Sequence, residues 1–127
     1  MSGPVRWQTT LSVVRWIARI WGTAAVLLTV PFFLEHLTWF SDINRLPPLH
    51  IFAQQASHLV LLLGLVAAWR WELSGGVLAV LGGVGFLLAI GGGSRFLPIV
   101  STITAPGVLF VLCALLSHRT VHESVAA

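Results

Sequence analysis

The chain has 127 residues and a formal net charge of +3; 57% of its residues are hydrophobic and only 9% are charged. A soluble domain usually carries about 25% charged residues, so this composition excludes a protein whose whole surface meets water. The mean hydropathy of +0.92 indicates a chain that lies largely in lipid. The arginines are spread along the chain rather than clustered, so no nucleic-acid partner is expected.

Four apolar stretches follow one another, and each is long enough to cross a membrane as a helix. About 20 helical residues cross a hydrocarbon core about 30 Å thick, and lipid offers no water to satisfy the backbone outside helices or closed barrels. We therefore predict an all-α, integral membrane four-helix bundle, with residues 1–127 forming a single transmembrane domain. The spans are predicted at about 13–34, 49–69, 73–90 and 96–116, with a polar tail at 117–127.

The arginines predict the orientation of these spans. With four spans, both chain ends share one side, and five of the seven arginines lie there. Positive residues are enriched on the cytoplasmic side, so we expect both ends of the chain in the cytoplasm. Trp16, Trp69 and Trp71 fall at the same boundary, as an interfacial aromatic belt requires. The cytoplasmic group is Arg6, Arg15, Arg19, Arg70 and Arg119, and the outer group is Arg45 and Arg95.

At the cytoplasmic boundary, a structural ion pair is predicted. Arg15 and Arg19 are four residues apart and share one face of the first helix, and Glu72 is expected at the same depth. A charge at this depth is costly unless it is paired or reaches the head groups. We expect Glu72 to pair with Arg19 or Arg15; the alternative is that each side chain extends separately to the lipid head groups.

Near the outer boundary, five polar residues form the candidate ligand site. Polar groups within a span are candidates for function. Gln54 and His58 are four residues apart and share one helix face. The uses left open are a haem or other metal ligand, a quinone site, a proton-linked carboxylate, or a purely structural cluster. His36 and His58 are expected at depths that differ by about one helical turn, whereas two axial haem ligands must lie at matched levels. No haem-attachment or metal-binding motif occurs, so we predict no metal and no cofactor, with haem or quinone as the alternative. The residues are Glu35, His36, His50, Gln54 and His58.

On the third span, Gly75, Ala79 and Gly83 are spaced four residues apart and share one helix face. Small residues let helices approach closely in lipid. This face is interpreted as tight packing within one bundle, or alternatively as a docking face for a second copy or a partner subunit.

The hinge between the second and third spans carries a resemblance. The segment Trp69-Arg-Trp-Glu72 followed by Gly75-Gly76, together with Arg15-Trp-Ile-Ala-Arg19, resembles a family of small uncharacterised bacterial four-span membrane proteins. That family has a similar Trp-basic-Trp-Glu-x-x-Gly-Gly hinge. The resemblance implies the fold and a location in a bacterial inner membrane, and it supplies no activity.

For function, the sequence favours a non-enzymatic multi-pass membrane protein. It contains no paired catalytic carboxylates, nucleophile elbow or phosphate loop, so no catalytic residue is assigned. The leading hypothesis is an accessory or scaffold subunit, or a self-associating bundle, whose partners are the lipid bilayer and either further copies or a larger membrane complex. The first alternative is a haem- or quinone-binding redox subunit using His58 and His36. The second is a small proton-linked transporter using Glu35.

Overall fold

The structure, a computed structural model, describes residues 3–126. Residues 1, 2 and 127 of the predicted domain lie outside the described part. Helix accounts for 86% of the chain, which confirms the all-α class. The α-helices are α1 (Gly3–Leu37), α2 (Leu49–Ala67), α3 (Glu72–Ala89) and α4 (Leu97–Ala126), with two short 3-10 helices, Thr38–Phe40 and Ile43–Arg45, between α1 and α2.

All four α-helices are long and apolar enough to cross a membrane, judged by their length and composition. Their outward faces carry large exposed side chains such as Leu27, Leu28 and Leu88, which are 69%, 78% and 71% exposed. An apolar surface this extensive needs lipid rather than water around it. The predicted integral membrane four-helix bundle is therefore confirmed as the fold class.

The four helices form a ring in chain order. α1 packs against α2 and α4, and α3 packs against the same two helices, whereas α2 and α4 meet across the diagonal with far less contact. The centre of the ring holds two clusters of buried apolar side chains, in which Leu65 and Phe110 are the largest residues. Alanines complete both clusters, because small side chains allow the helices to approach closely.

The small-residue face of α3 lies inside this ring. A Cβ atom added to Gly75 would collide with the backbone of Ala68, the residue that follows α2. One added to Gly83 would stand 2.8 Å from the Thr104 methyl carbon on α4. Ala79 is fully buried in the core cluster with residues of α1 and α2. The face is therefore covered by neighbouring helices of the same chain and is not open to a partner.

Two helices are longer than the predicted spans. The polar tail predicted from Ser117 is instead helical up to Ala126, and α1 begins at Gly3, well before the predicted start near residue 13. The two extensions lie at the same end of the bundle, where an Arg15 guanidinium nitrogen donates to Ser117 Oγ at 3.1 Å. Leu11 is buried there, at 8% exposure. Contact between α1 and α4 therefore accompanies the two helical extensions beyond the predicted spans.

Candidate functional site

A cavity of about 440 Å³ lies among the four helices, close to the end where α1 meets α2. It opens to the outside of the bundle, since Leu28 and Ile99 in its wall are 78% and 59% exposed. We call it the His58 cavity. Each helix or its adjoining turn contributes to the wall, which is almost wholly apolar and includes three phenylalanines. It is lined by Leu28, Thr29, Phe32, Gln54, His58, Leu61, Phe86, Ile90, Phe96, Ile99, Val100 and Ile103.

His58 is the buried polar residue of this wall. It lies on α2 and is 5% exposed, and its ring makes edge contacts with Phe33 and Phe86 at centroid distances of 5.3 and 5.6 Å. Its Nδ1 is buried and has no hydrogen-bond partner among the described residues. A buried polar atom without a partner costs about 1–3 kcal/mol, and native structures rarely leave one unsatisfied. His58 therefore lies in an apolar cavity wall with hydrogen-bonding capacity to offer.

Gln54 lies one helical turn before His58 and lines the same cavity, so the predicted pair on one face of α2 is brought together. Gln55 was not included in the candidate site. It is buried at 8% exposure, and its Nε2 has no hydrogen-bond partner among the described residues. Its spacing of three residues from His58 was the signal that could have found it, because residues three apart are neighbours on a helix surface.

The other predicted outer residues do not reach the cavity wall. Glu35 and His50 are exposed. His36 is half-buried, and its ring lies between Phe32 and Trp39, with centroid distances of 4.1 and 4.4 Å. Its Nδ1 lies 2.7 Å from the Phe32 carbonyl oxygen of its own helix. The structure therefore separates the five residues into two at the cavity and three around its rim or on the surface.

These contacts give little support to a bis-histidine haem. The Phe32 ring contacts both imidazoles, at 4.1 Å from His36 and 6.4 Å from His58. Two axial ligands would instead have to face each other across one iron. Among the described residues, no group of three or more His, Cys, Asp or Glu side chains is placed to hold a metal ion.

At the opposite end of the bundle, Glu72 meets Arg15. The Nε of Arg15 contacts Oε1 of Glu72, and a second nitrogen of the same guanidinium donates to Ser117. This contact network joins α1, α3 and α4. Of the two partners that the sequence left open for Glu72, the structure brings Arg15 into contact.

Arg19 has a different environment. Its guanidinium lies over the rings of Trp16 and Trp69, 5.3 and 5.2 Å from their centroids, and donates to the Trp69 carbonyl oxygen at 3.3 Å. The indole Nε1 of Trp69 donates in turn to Thr23 Oγ1 at 3.1 Å. Arg19 therefore connects α1 to the end of α2 through aromatic and backbone contacts.

Comparisons with known proteins identify a family and nothing closer. A family model described as a domain of unknown function, DUF7670, matches residues 7–123. No curated protein matches the chain, and no solved structure does. The match agrees with the resemblance to an uncharacterised family, whereas a bacterial source and the tryptophan hinge as a family signature stay predictions.

Proposed function

The chain belongs to the DUF7670 family, and we propose that it is a non-enzymatic membrane protein that binds a small apolar ligand in the His58 cavity. The observation that carries this proposal is the buried Nδ1 of His58, which lacks a hydrogen-bond partner among the described residues and belongs to a side chain in the cavity wall. Because Nδ1 itself is buried, a ligand in the cavity would bond it through a rotation of the imidazole. That bond would satisfy hydrogen-bonding capacity that the bundle leaves unused.

The shape and chemistry of the cavity suit such a ligand. Small-molecule sites are concave, about 300–1,000 Å³ in volume, and mostly apolar with a few polar groups that fix orientation. This cavity of about 440 Å³ is walled by aliphatic side chains and phenylalanines, with His58 and Gln54 adjacent on one side. The complementary molecule has an apolar or aromatic body and a carbonyl or hydroxyl head, which is the chemistry of a quinone.

The competing hypotheses have less support. The small-residue face that favoured self-association is covered by α2 and α4, and the Glu35 carboxylate that a proton-linked transporter would use is exposed and away from the cavity wall. An accessory role in a larger membrane complex is compatible with ligand binding and remains part of the proposal. The proposal also includes a location in the inner membrane and the placement of both chain ends in the cytoplasm.

Replacing His58 with leucine tests this function. Wild type and variant are purified in mild detergent and incubated with decylubiquinone. We expect the variant to retain about tenfold less of it, because a tenfold loss of affinity corresponds to about one good hydrogen bond at a buried site. Retention is measured by gel filtration followed by mass spectrometry of the protein fraction. The variant should unfold no earlier than the wild type, because leucine removes a buried polar atom that has no partner.

The matched control is His50→Gln, which changes an exposed histidine on the same helix. It should retain the quinone at the wild-type level. Equal retention by wild type and His58→Leu, or an equal loss in both variants, would contradict binding at His58.

A further inference from the structure

A second concave site lies at the other end of the molecule and is independent of the His58 cavity. It is a groove of about 440 Å³, formed where the hinge between α2 and α3 meets α1 and the last turns of α4. We call it the basic groove, and its polar wall consists of Arg19, Arg70, Glu72, Ser74, Ser117 and His118.

The charges of this groove do not cancel. The carboxylate of Glu72 contacts Arg15, so the single acidic side chain of the wall already has a cationic partner. Neither Arg19 nor Arg70 has a carboxylate partner among the described side chains. Arg19 and Arg70 therefore give the groove a positive charge that no carboxylate among the described side chains neutralises, and His118 lines the same wall.

The guanidinium of Arg19 is positioned by its neighbours and has no anionic partner among the described side chains. It lies over two indole rings that meet edge to face, and one of its nitrogens donates to a backbone carbonyl oxygen. Its Nε is buried and has no hydrogen-bond partner among the described residues. A guanidinium fixed by aromatic faces loses little freedom when it binds phosphate, for which its planar array of donors is well matched.

The tryptophans and apolar side chains of the groove favour a membrane lipid as the source of the phosphate. Trp69 and Trp71 form part of its wall, and tryptophans concentrate at the level of the lipid head groups. The same wall contains Leu73, Ala114 and Val121, apolar side chains against which an acyl chain could lie. Basic pockets between membrane helices at the cytoplasmic surface are suited to anionic lipid head groups.

We propose that the basic groove binds the phosphate head group of an anionic phospholipid, with Arg19 and Arg70 as the residues that hold it. Because the groove and the His58 cavity lie at opposite ends of the bundle and share no lining residue, the failure of one proposal leaves the other intact.

The test is lipid retention by the full chain. Protein purified in mild detergent is incubated with an equimolar mixture of phosphatidylglycerol and phosphatidylcholine, and the bound lipids are counted by native mass spectrometry. We expect wild-type protein to retain phosphatidylglycerol in preference, and Arg19→Gln to lower that preference about fivefold, the contribution of one arginine near an anionic lipid surface. Arg70→Gln provides the same test at an exposed side chain should Arg19→Gln fail to fold.

Arg45→Gln is the matched control, since it removes the same charge at the far end of the bundle and should keep the wild-type preference. A wild type without preference for phosphatidylglycerol would overturn the proposal, as would an equal loss in Arg45→Gln. Inorganic phosphate alone distinguishes the source of the anion. If it raises the melting temperature of the wild type as much as phosphatidylglycerol does, the groove takes a free anion and the lipid assignment is wrong.

Discussion

Replacing Gly75 with alanine is expected to force α2 and α3 apart and to lower the free energy of unfolding by about 3 kcal/mol, the upper end of the usual cost of overpacking. A methyl group at this position would meet the backbone of Ala67 and Ala68, which cannot rotate away as a side chain could. A second close approach joins the same two helices, since a Cβ on Gly64 would stand 2.8 Å from the Cα of Ala79 and from the carbonyl oxygen of Gly75. Thermal unfolding in mild detergent, followed by tryptophan fluorescence, measures the change.

Gly22→Ala is the matched control for this prediction. Gly22 is also a buried helical glycine, but an added Cβ would lie in ordinary contact, 3.5 Å from Pro106 Cβ and 3.7 Å from Phe110. Alanine is favoured over glycine in a helix by about 1 kcal/mol, so this variant should unfold at the same temperature as the wild type or higher. Comparable losses in both variants would show that the contact between α2 and α3 is not the cause.

Replacing Glu72 with glutamine is expected to destabilise the protein by about 2 kcal/mol, because Arg15 is left without its carboxylate. Breaking a fully buried pair costs about 3–5 kcal/mol, and the smaller figure reflects side-chain exposures of 30% for Arg15 and 17% for Glu72. The free energy of unfolding in a denaturing detergent such as dodecyl sulfate provides the measurement.

A double-mutant cycle separates the ion pair from other effects at this position. Once Arg15→Gln has been made, the further change Glu72→Gln should cost little, so the two effects should fall well short of additivity. Losses that simply add would mean that the two side chains contribute separately, for example by each reaching the head groups.

The sequence predicted the four-helix fold class because each crossing needs about 20 apolar residues, a requirement visible in a single stretch of chain. It predicted the inward faces less well, because helices that are apolar on all sides carry no stripe to distinguish the core from the lipid. Gln54 and Gln55 illustrate this difference. Both are polar neighbours early in α2, yet Gln54 lines the cavity and Gln55 is the more buried.

Of the candidate site, the sequence predicted the relations within one helix but not the contacts between helices and turns. Spacing along α2 placed His58 and Gln54 together, because that relation is local to one helix. The position of His36 depends on stacking with Phe32 and Trp39, and Trp39 lies in the turn that follows α1. Whether Arg15 or Arg19 meets Glu72 depends on the rotation of α1 about its axis relative to α3. The local sequence does not determine that rotation.

The close contact between α2 and α3 also bears on the thickness of bilayer that this protein fits. The two helices have 19 and 18 residues, or about 27–29 Å at 1.5 Å per residue, slightly short of a typical hydrocarbon core of about 30 Å. Because their backbones touch at Gly64 and Gly75, neither helix can change its tilt without the other. The 35 residues of α1 and the 30 of α4 can span a thicker layer. A mismatch must therefore be met by the lipid beside the short pair, which favours thin membranes and local thinning around this hairpin.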